Sequence, residues 1–172
     1  MPAAALGIGL GWATARLVPE SLVGGLVGLI GAAFALNLLI RRGPPPAARR
    51  AEVAPGMFWG AVTGFTSFVS HAGAPPYQVY VLPLGMDKVT FAGTSTIAFA
   101  FINALKLPPY WALGQLSAQN LEVAAMLAVP AVAAVFLGVW LVRVIPQALF
   151  FKAVTWALLA VSLELIRKAV MT

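Results

Sequence analysis

The sequence predicts an all-α polytopic membrane protein with about five to six transmembrane helices. Of its 172 residues, 61% are hydrophobic and only 9% are charged, and the mean hydropathy is +0.93. A soluble domain usually has about 25% charged residues, so this chain has too little polar surface to coat a soluble globule. Several of its apolar runs also reach the roughly 20 residues that a membrane-spanning helix requires.

Six apolar segments follow one another along the chain. The first, Ala3–Ala15, is short for a span and is interpreted as the remnant of one. The other predicted spans are Ser21–Ile40, Pro55–Leu84 (a broken span), Val89–Leu105, Leu121–Val142 and Gln147–Ile166. The hydrophilic, Pro-rich stretch RRGPPPAARRAEVAP at residues 41–55 separates the second segment from the third. We therefore divide the chain into a first unit at residues 1–42, a basic linker at 43–54 and a second, four-helix unit at 55–172.

The composition also excludes several classes of function. The chain has a net charge of +6, but its basic residues form no cluster interleaved with stacking aromatic residues. Nucleic acid is therefore not a predicted partner. The absence of cysteine excludes disulfides, thiolate metal sites and thiol catalysis. A single histidine without an acidic or thiol partner is a poor metal site, and no cofactor is predicted. No carboxylate accompanies Ser67, Ser70 and His71, so an enzyme is not predicted either.

The lysines and arginines predict that the linker faces the cytoplasm. If residues 55–84 cross the membrane once, seven basic residues lie inside: Arg41, Arg42, Arg49, Arg50, Lys106, Arg167 and Lys168. Arg16, Lys88 and Arg143 then lie outside, which makes this the preferred arrangement. If residues 55–84 instead form a re-entrant hairpin, Lys88 and Arg143 join the linker and the ratio becomes six to four.

The chain contains an internal repeat with a shift of 127 residues. Leu10-Gly11 aligns with Leu137-Gly138, Arg16 with Arg143 and Pro19 with Pro146, within nine identities over residues 6–42. The second unit holds four spans, but the first shows only its last span and part of the one before. We therefore expect two repeats of which the first is truncated, through a shortened or mis-started reading frame.

The broken segment carries the main candidate site. Gly60 and Gly64 form a small-xxx-small pair, which favours close helix packing. Further on, Pro75 and Pro76 bar a continuous helix, and irregular backbone at membrane depth is tolerated only inside protein or beside a wet cavity. The break is interpreted as a substrate site, in which freed amides face an anion, and a structural proline kink is the alternative. His71 is either a group that binds ligand or carries a proton, or a hydrogen-bonded core residue.

The predicted substrate-binding residues lie at the break and on the following span. They are Ser70, His71, Gly73, Ala74, Tyr77, Gln78, Thr94, Ser95 and Asn103. Beyond them, KLPPYWALGQLSAQN at residues 106–120 is predicted to be an interfacial loop with aromatic anchors.

The order of these motifs resembles that of a known family. Gly60-xxx-Gly64-Phe65, Ser67, the break at His71–Pro76, Pro83 and Ala92-Gly-Thr-Ser95 follow one another as in the C-terminal half of the sulfite exporter TauE/SafE family of membrane transporters. The resemblance covers about 115 residues, and the span at residues 21–42 resembles the end of the family's first half.

The resemblance implies eight spans in two repeats, and transport of small anions such as sulfite or organosulfonates across a bacterial inner membrane. The glycine-rich break of the family corresponds to Gly73-Ala74-Pro75 here, and its Ala-Gly-Thr-Ser stretch to Ala92–Ser95. The predicted function is thus transport of a small anion through the bilayer by alternating access around the broken helix. The alternative is a non-transporting fragment or an assembly subunit of a membrane complex. The expected partners are the small anion and the lipid bilayer, and the sequence does not distinguish a monomer from a homo-oligomer.

Overall fold

A computed structural model describes residues 2–15, 17–41 and 47–171 of the chain. This part is helical, without strands, and has seven α-helices. They are α1 (Pro2–Thr14), α2 (Glu20–Ile40), α3 (Val53–Val69), α4 (Ala74–Val81), α5 (Lys88–Ala112), α6 (Ala118–Val144) and α7 (Gln147–Met171), with a short 3-10 helix at Leu82–Leu84. Arg16 and residues 42–46, on which part of the predicted charge distribution and linker falls, lie outside the described residues.

Among the described residues, four helices are long and apolar enough to cross a membrane, namely α2, α5, α6 and α7. The shorter α3 has 17 residues and a length of about 25 Å. The first turns of α5 and α6 are capped by the side chains that precede them. Oδ1 of Asp87 accepts hydrogen bonds from the N–H groups of Val89 and Thr90 at 2.9 and 3.0 Å, and Ser117 accepts one from Asn120 at 3.2 Å. The prediction of an all-α polytopic membrane protein is confirmed.

The segment predicted to cross the membrane once folds back instead. Helix α4 packs antiparallel to α3, so that Tyr80 Oη donates a hydrogen bond to the Glu52 carbonyl at 3.0 Å. The Arg49 N–H likewise bonds to the Pro83 carbonyl at 2.9 Å. Both ends of residues 55–84 therefore meet at the same face of the bundle. The single crossing was wrong, and the re-entrant alternative describes the structure.

We call the face at which the linker lies the linker face, and the other the opposite face. Lys88 Nζ donates hydrogen bonds to the carbonyls of Arg143 and Ile145 at 3.1 and 2.6 Å, which places both basic residues at the linker face. Lys106 lies toward the opposite face, as does the end of α7 with Arg167. The basic residues still favour a cytoplasmic linker face.

A second correction concerns the predicted loop from residue 106. Helix α5 continues through Pro108 and Pro109 to Ala112, and the loop begins only at Leu113. Proline is tolerated inside a membrane helix where neighbouring groups satisfy the freed backbone. Continuing the helix keeps the remaining backbone groups of this stretch hydrogen-bonded.

Two pairs of helices form the packed part of the molecule. In the parallel pair α1–α3, a side chain at Gly7 or Gly64 would overlap the backbone of the other helix. In the antiparallel pair α2–α7, a Cβ at Gly28 would lie 2.7 Å from the Ser162 carbonyl oxygen. Small residues allow both close approaches, and α4 packs against α2, α3 and α7.

Candidate functional site

The turn of the hairpin lies at residues 70–73, between α3 and α4. The N–H groups of Ser70 and Ala72 both bond to the Thr66 carbonyl, at 3.0 and 3.2 Å, and Ser70 Oγ donates to the same oxygen at 3.1 Å. His71 has φ 52°, the only positive φ of a described non-glycine residue. Its exposed side chain therefore stands at the tip, while Ser70 is buried.

The N-terminus of α4 is closely packed. Pro75 and Pro76 are fully buried, and a Cβ at Gly73 would lie 2.8 Å from the Ser67 Cβ. Glycine is needed at residue 73 because the two arms of the hairpin approach so closely. The prolines carry no N–H and the Tyr77 N–H bonds to the Gly73 carbonyl at 3.3 Å. The first turn of α4 can therefore offer a ligand only the N–H of Ala74, fewer amides than the sequence predicted.

The structure brings Tyr77 and Ser95 together. Their hydroxyl oxygens are 3.1 Å apart, and Ser95 Oγ also donates to the Phe91 carbonyl at 2.7 Å. Since a serine hydroxyl has one proton, Tyr77 donates to Ser95 in this arrangement. The Phe99 ring packs edge-on against Tyr77 with centroids 5.2 Å apart. Gln78 follows Tyr77 on α4, and its Oε1 is buried and has no described hydrogen-bond partner.

A cavity opens at the tip of the hairpin on the opposite face. Its volume is about 210 Å³, and its polar lining residues are Glu20, His71, Tyr110 and Gln115, with apolar walls from Ala15, Val18, Phe68, Val69 and Leu113. The His71 and Tyr110 rings have centroids 6.1 Å apart. The Tyr110 hydroxyl is buried and has no described hydrogen-bond partner.

Beside this cavity lies a buried charge that sequence reasoning missed. Lys106 is 6% exposed, and its Nζ donates hydrogen bonds to the Ser67 carbonyl at 3.2 Å and to Ser67 Oγ at 3.1 Å. No described carboxylate oxygen lies within 4.0 Å of it. The helical spacing from buried Ala98 and Ile102 to residue 106 could have placed this lysine on the inner face of α5.

The comparison with protein families decides which group of proteins this arrangement belongs to. The model of the sulfite exporter TauE/SafE family matches residues 1–165, nearly the whole chain. The chain belongs to the sulfite exporter TauE/SafE family. Comparisons with curated proteins and with solved structures give no significant match. The resemblance seen in the motif order is confirmed, and it extends further toward the N-terminus than the motifs alone indicated.

In this member of the TauE/SafE family, six of the nine predicted site residues fall into three groups. Ser70, Gly73 and Ala74 build the hairpin turn, and Tyr77 with Ser95 forms a hydroxyl pair between α4 and α5. His71 stands apart at the cavity. Thr94 and Asn103 are exposed on α5 and contact none of these groups through a described hydrogen bond, so their role in binding stays a prediction.

The chemistry available in this TauE/SafE site is hydrogen bonding and positive charge. Hydroxyl, imidazole, amide and ammonium groups line the hairpin and the cavity. Among the described residues that line this cavity, Glu20 alone has a carboxylate. Within the described chain, no three His, Cys, Asp or Glu side chains cluster as metal ligands. The donors that are present suit the oxygen atoms of an anion.

Proposed function

We propose that the protein transports small anions of the sulfite or organosulfonate class across a bacterial inner membrane by alternating access around the α3–α4 hairpin. The observation that carries this proposal is the broken hairpin itself, whose buried proline break and exposed His71 tip stand beside a cavity in a TauE/SafE protein. Half-helix breaks of this kind form substrate sites in other transporter folds.

The distribution of acidic residues supports an anion as substrate. Asp87 caps α5, and Glu164 forms an ion pair with Arg167 at 2.6 Å. Glu20 lies at the first residue of α2. Sites for cations within membranes usually contain carboxylates in the middle of the spans, and these described carboxylates are at or near helix ends.

A cavity at each end of the hairpin supports alternating access. Besides the cavity at the tip, one of about 490 Å³ lies on the linker face, with Glu52, Gly56 and Tyr80 among its lining residues. The hydrogen bond from Tyr80 to Glu52 lies at this inner end. We infer that movement of the hairpin together with α1 relative to α5 connects one cavity or the other to a site that includes Ser70, His71, Gly73, Ala74, Tyr77, Gln78 and Ser95.

The proposal is tested by flux of sulfite and sulfoacetate into proteoliposomes that contain the purified chain. In the test variant, residues 73–76 are rebuilt as four leucines. In a second variant, residues 131–134 of α6, which are exposed, are rebuilt in the same way to control for the effect of four added leucines. We expect saturable flux for the unaltered chain and the control, and its loss in the test variant.

Absence of flux from protein that is shown to be inserted would favour the second candidate, an assembly subunit. The observation in favour of that candidate is α6, in which no residue is buried although the helix is long and apolar. Flux that survives in the test variant would instead contradict a site at the hairpin.

A further inference from the structure

Lys106 is unusual because its charged side chain points into the protein. It lies six residues before the end of α5, at Ala112, where a lysine side chain could reach the polar region at the opposite face. Instead its ammonium bonds to Ser67 on α3 and is almost fully buried. Ionised groups inside a membrane protein are costly and mark functional sites by default.

One role of Lys106 is structural. Helix α3 ends at Val69, so the Ser67 carbonyl belongs to its last turn and lacks a continuing helical partner. A cation at this position also interacts favourably with the helix dipole. An ammonium group has three N–H donors, however, and Ser67 accepts two of them. The structural role therefore leaves one donor and the whole positive charge without a described carboxylate.

Tyr110 separates this charge from the cavity at the hairpin tip. Its ring lines the cavity, and Lys106 Nζ lies 5.9 Å from the ring centroid. The Phe68 ring, with its centroid 5.4 Å from that of Tyr110, completes the barrier. The Tyr110 hydroxyl is buried without a described partner, so rotation of this side chain breaks no described hydrogen bond, although it moves the ring away from Lys106 Nζ.

We propose that Lys106 and Ser67 bind the transported oxyanion and that Tyr110 is the gate that separates them from the cavity on the opposite face. This inference rests on the proposed function and deepens it. The free N–H of Lys106 and the Ser67 hydroxyl donate to two sulfonate oxygens, and the released Tyr110 hydroxyl donates to a third. Ser67 lies on α3 three residues before Ser70, so these donors extend the site inferred at the hairpin.

The chain has no cysteine, which allows a direct test by labelling. In Ser67→Cys, we would compare modification by an anionic sulfonatoethyl and a cationic trimethylammonioethyl methanethiosulfonate, applied from the opposite face. The nearby ammonium lowers the thiol pKa and accelerates both reactions, so their ratio isolates the preference for negative charge. We expect the anionic reagent to react about tenfold faster in relative terms than at a neutral site.

Two further variants assign this preference to residues. Adding Lys106→Met should abolish it, and adding Tyr110→Ala should raise the rates of both reagents by opening the gate. Sulfoacetate, which reacts neither with thiols nor with methanethiosulfonates, should slow labelling only while Lys106 is present. Leu113→Cys at the cavity wall is the control, since its labelling should not depend on Tyr110. If Ser67→Cys does not fold, Tyr110→Cys reports the same preference from the gate position.

Equal relative rates of the two reagents, or a preference that survives Lys106→Met, would overturn the proposal and leave Lys106 as the cap of α3. The same holds if sulfoacetate gives no protection. Flux measured separately keeps the two proposals apart. Flux without charge preference refutes the Lys106 site alone, whereas charge preference and protection without flux support the site and refute transport.

Discussion

Helix α1 and the last turns of α6 contain the same Leu-Gly pair, but the glycine is packed in α1 and open in α6. A Cβ at Gly11 on α1 would lie 3.1 Å from Phe68 Cδ1, while at Gly138 on α6 it would meet nothing within 4 Å. The 127-residue shift aligns these glycines. The difference comes from the partner, because α3 covers α1 and no described helix covers this face of α6. Apolar sequence alone does not specify which face of a membrane helix is packed.

Helices α2 and α7 show the opposite behaviour. Ala35 and Ser162 are aligned by the same shift, and both are 0% exposed. These two helices pack against each other, so each repeat-related position meets the other copy. Positions aligned by the predicted repeat therefore share an environment where the two helices pack on each other, as in α2–α7, and differ where no described helix covers one of them.

The strongest way to break the packed region is Gly64→Leu. A side chain there would overlap the backbone at Ala4, and we expect the free energy of unfolding to fall by about 3 kcal/mol, because overpacking forces backbone shifts. The measurement is the temperature at which purified protein in detergent leaves its monodisperse peak. An unchanged temperature would mean that α1 does not pack on α3 as described.

A matched pair of variants tests the comparison directly. Gly11→Leu should cost about 1–2 kcal/mol, because the new side chain presses on the Phe68 ring. Gly138→Leu should change stability by less than about 0.5 kcal/mol, because the site is open. Thermal stability in detergent again serves as the measurement. Equal losses in both variants would show that α6 is packed against a partner in the purified protein.

Much of the fold could be predicted because helix length and proline positions are local signals. The predicted span Ser21–Ile40 is found as Glu20–Ile40, and the span predicted from Gln147 begins at that residue. The path of residues 55–84 could not be predicted in the same way. An uncharged run of this length suits one crossing as well as a hairpin, and the deciding contacts join distant residues such as Arg49 and Pro83.

The candidate site could be predicted only in part for a similar reason. The proline break drew attention to Ser70 and Tyr77, and the structure confirms that the break interrupts the helix between them. Lys106 was placed at the start of a predicted interfacial loop, because Pro108-Pro109-Tyr110-Trp111 fits a loop with aromatic anchors. In a membrane the helix continues through such prolines, and the lysine is carried into contact with Ser67.

The side chains that cap α5 and α6 differ in whether their contribution to stability depends on pH. Asp87 caps the partly packed α5, and its pKa is lowered by hydrogen bonds from the Thr90 side chain and from the N–H groups of Thr90 and Val89. Its contribution is complete above the ordinary carboxyl pKa of about 3.9 and is lost as the pH falls through the lowered value. Ser117, which caps α6, does not titrate in this range.

We therefore expect Asp87→Asn to reduce the loss of thermal stability between pH 5 and pH 3, whereas Ser117→Ala should lower stability equally at both pH values. Circular dichroism melts in detergent would measure this. A pH dependence that is identical in Asp87→Asn and the unaltered chain would contradict the role of the cap.

The smallest expected effect concerns Ser162, a fully buried residue where α7 packs on α2. Its hydroxyl is buried without a described hydrogen-bond partner, close to Gly31 and Pro75. A buried hydroxyl that lacks a partner costs free energy, so Ser162→Ala, which reproduces its counterpart Ala35, should leave stability unchanged or raise it by up to about 1 kcal/mol. Thermal unfolding of this variant beside Ala35→Ser would measure the effect. Destabilisation by Ser162→Ala would instead show that the hydroxyl has a partner in the membrane-embedded protein, at the point where α4 meets α2 and α7.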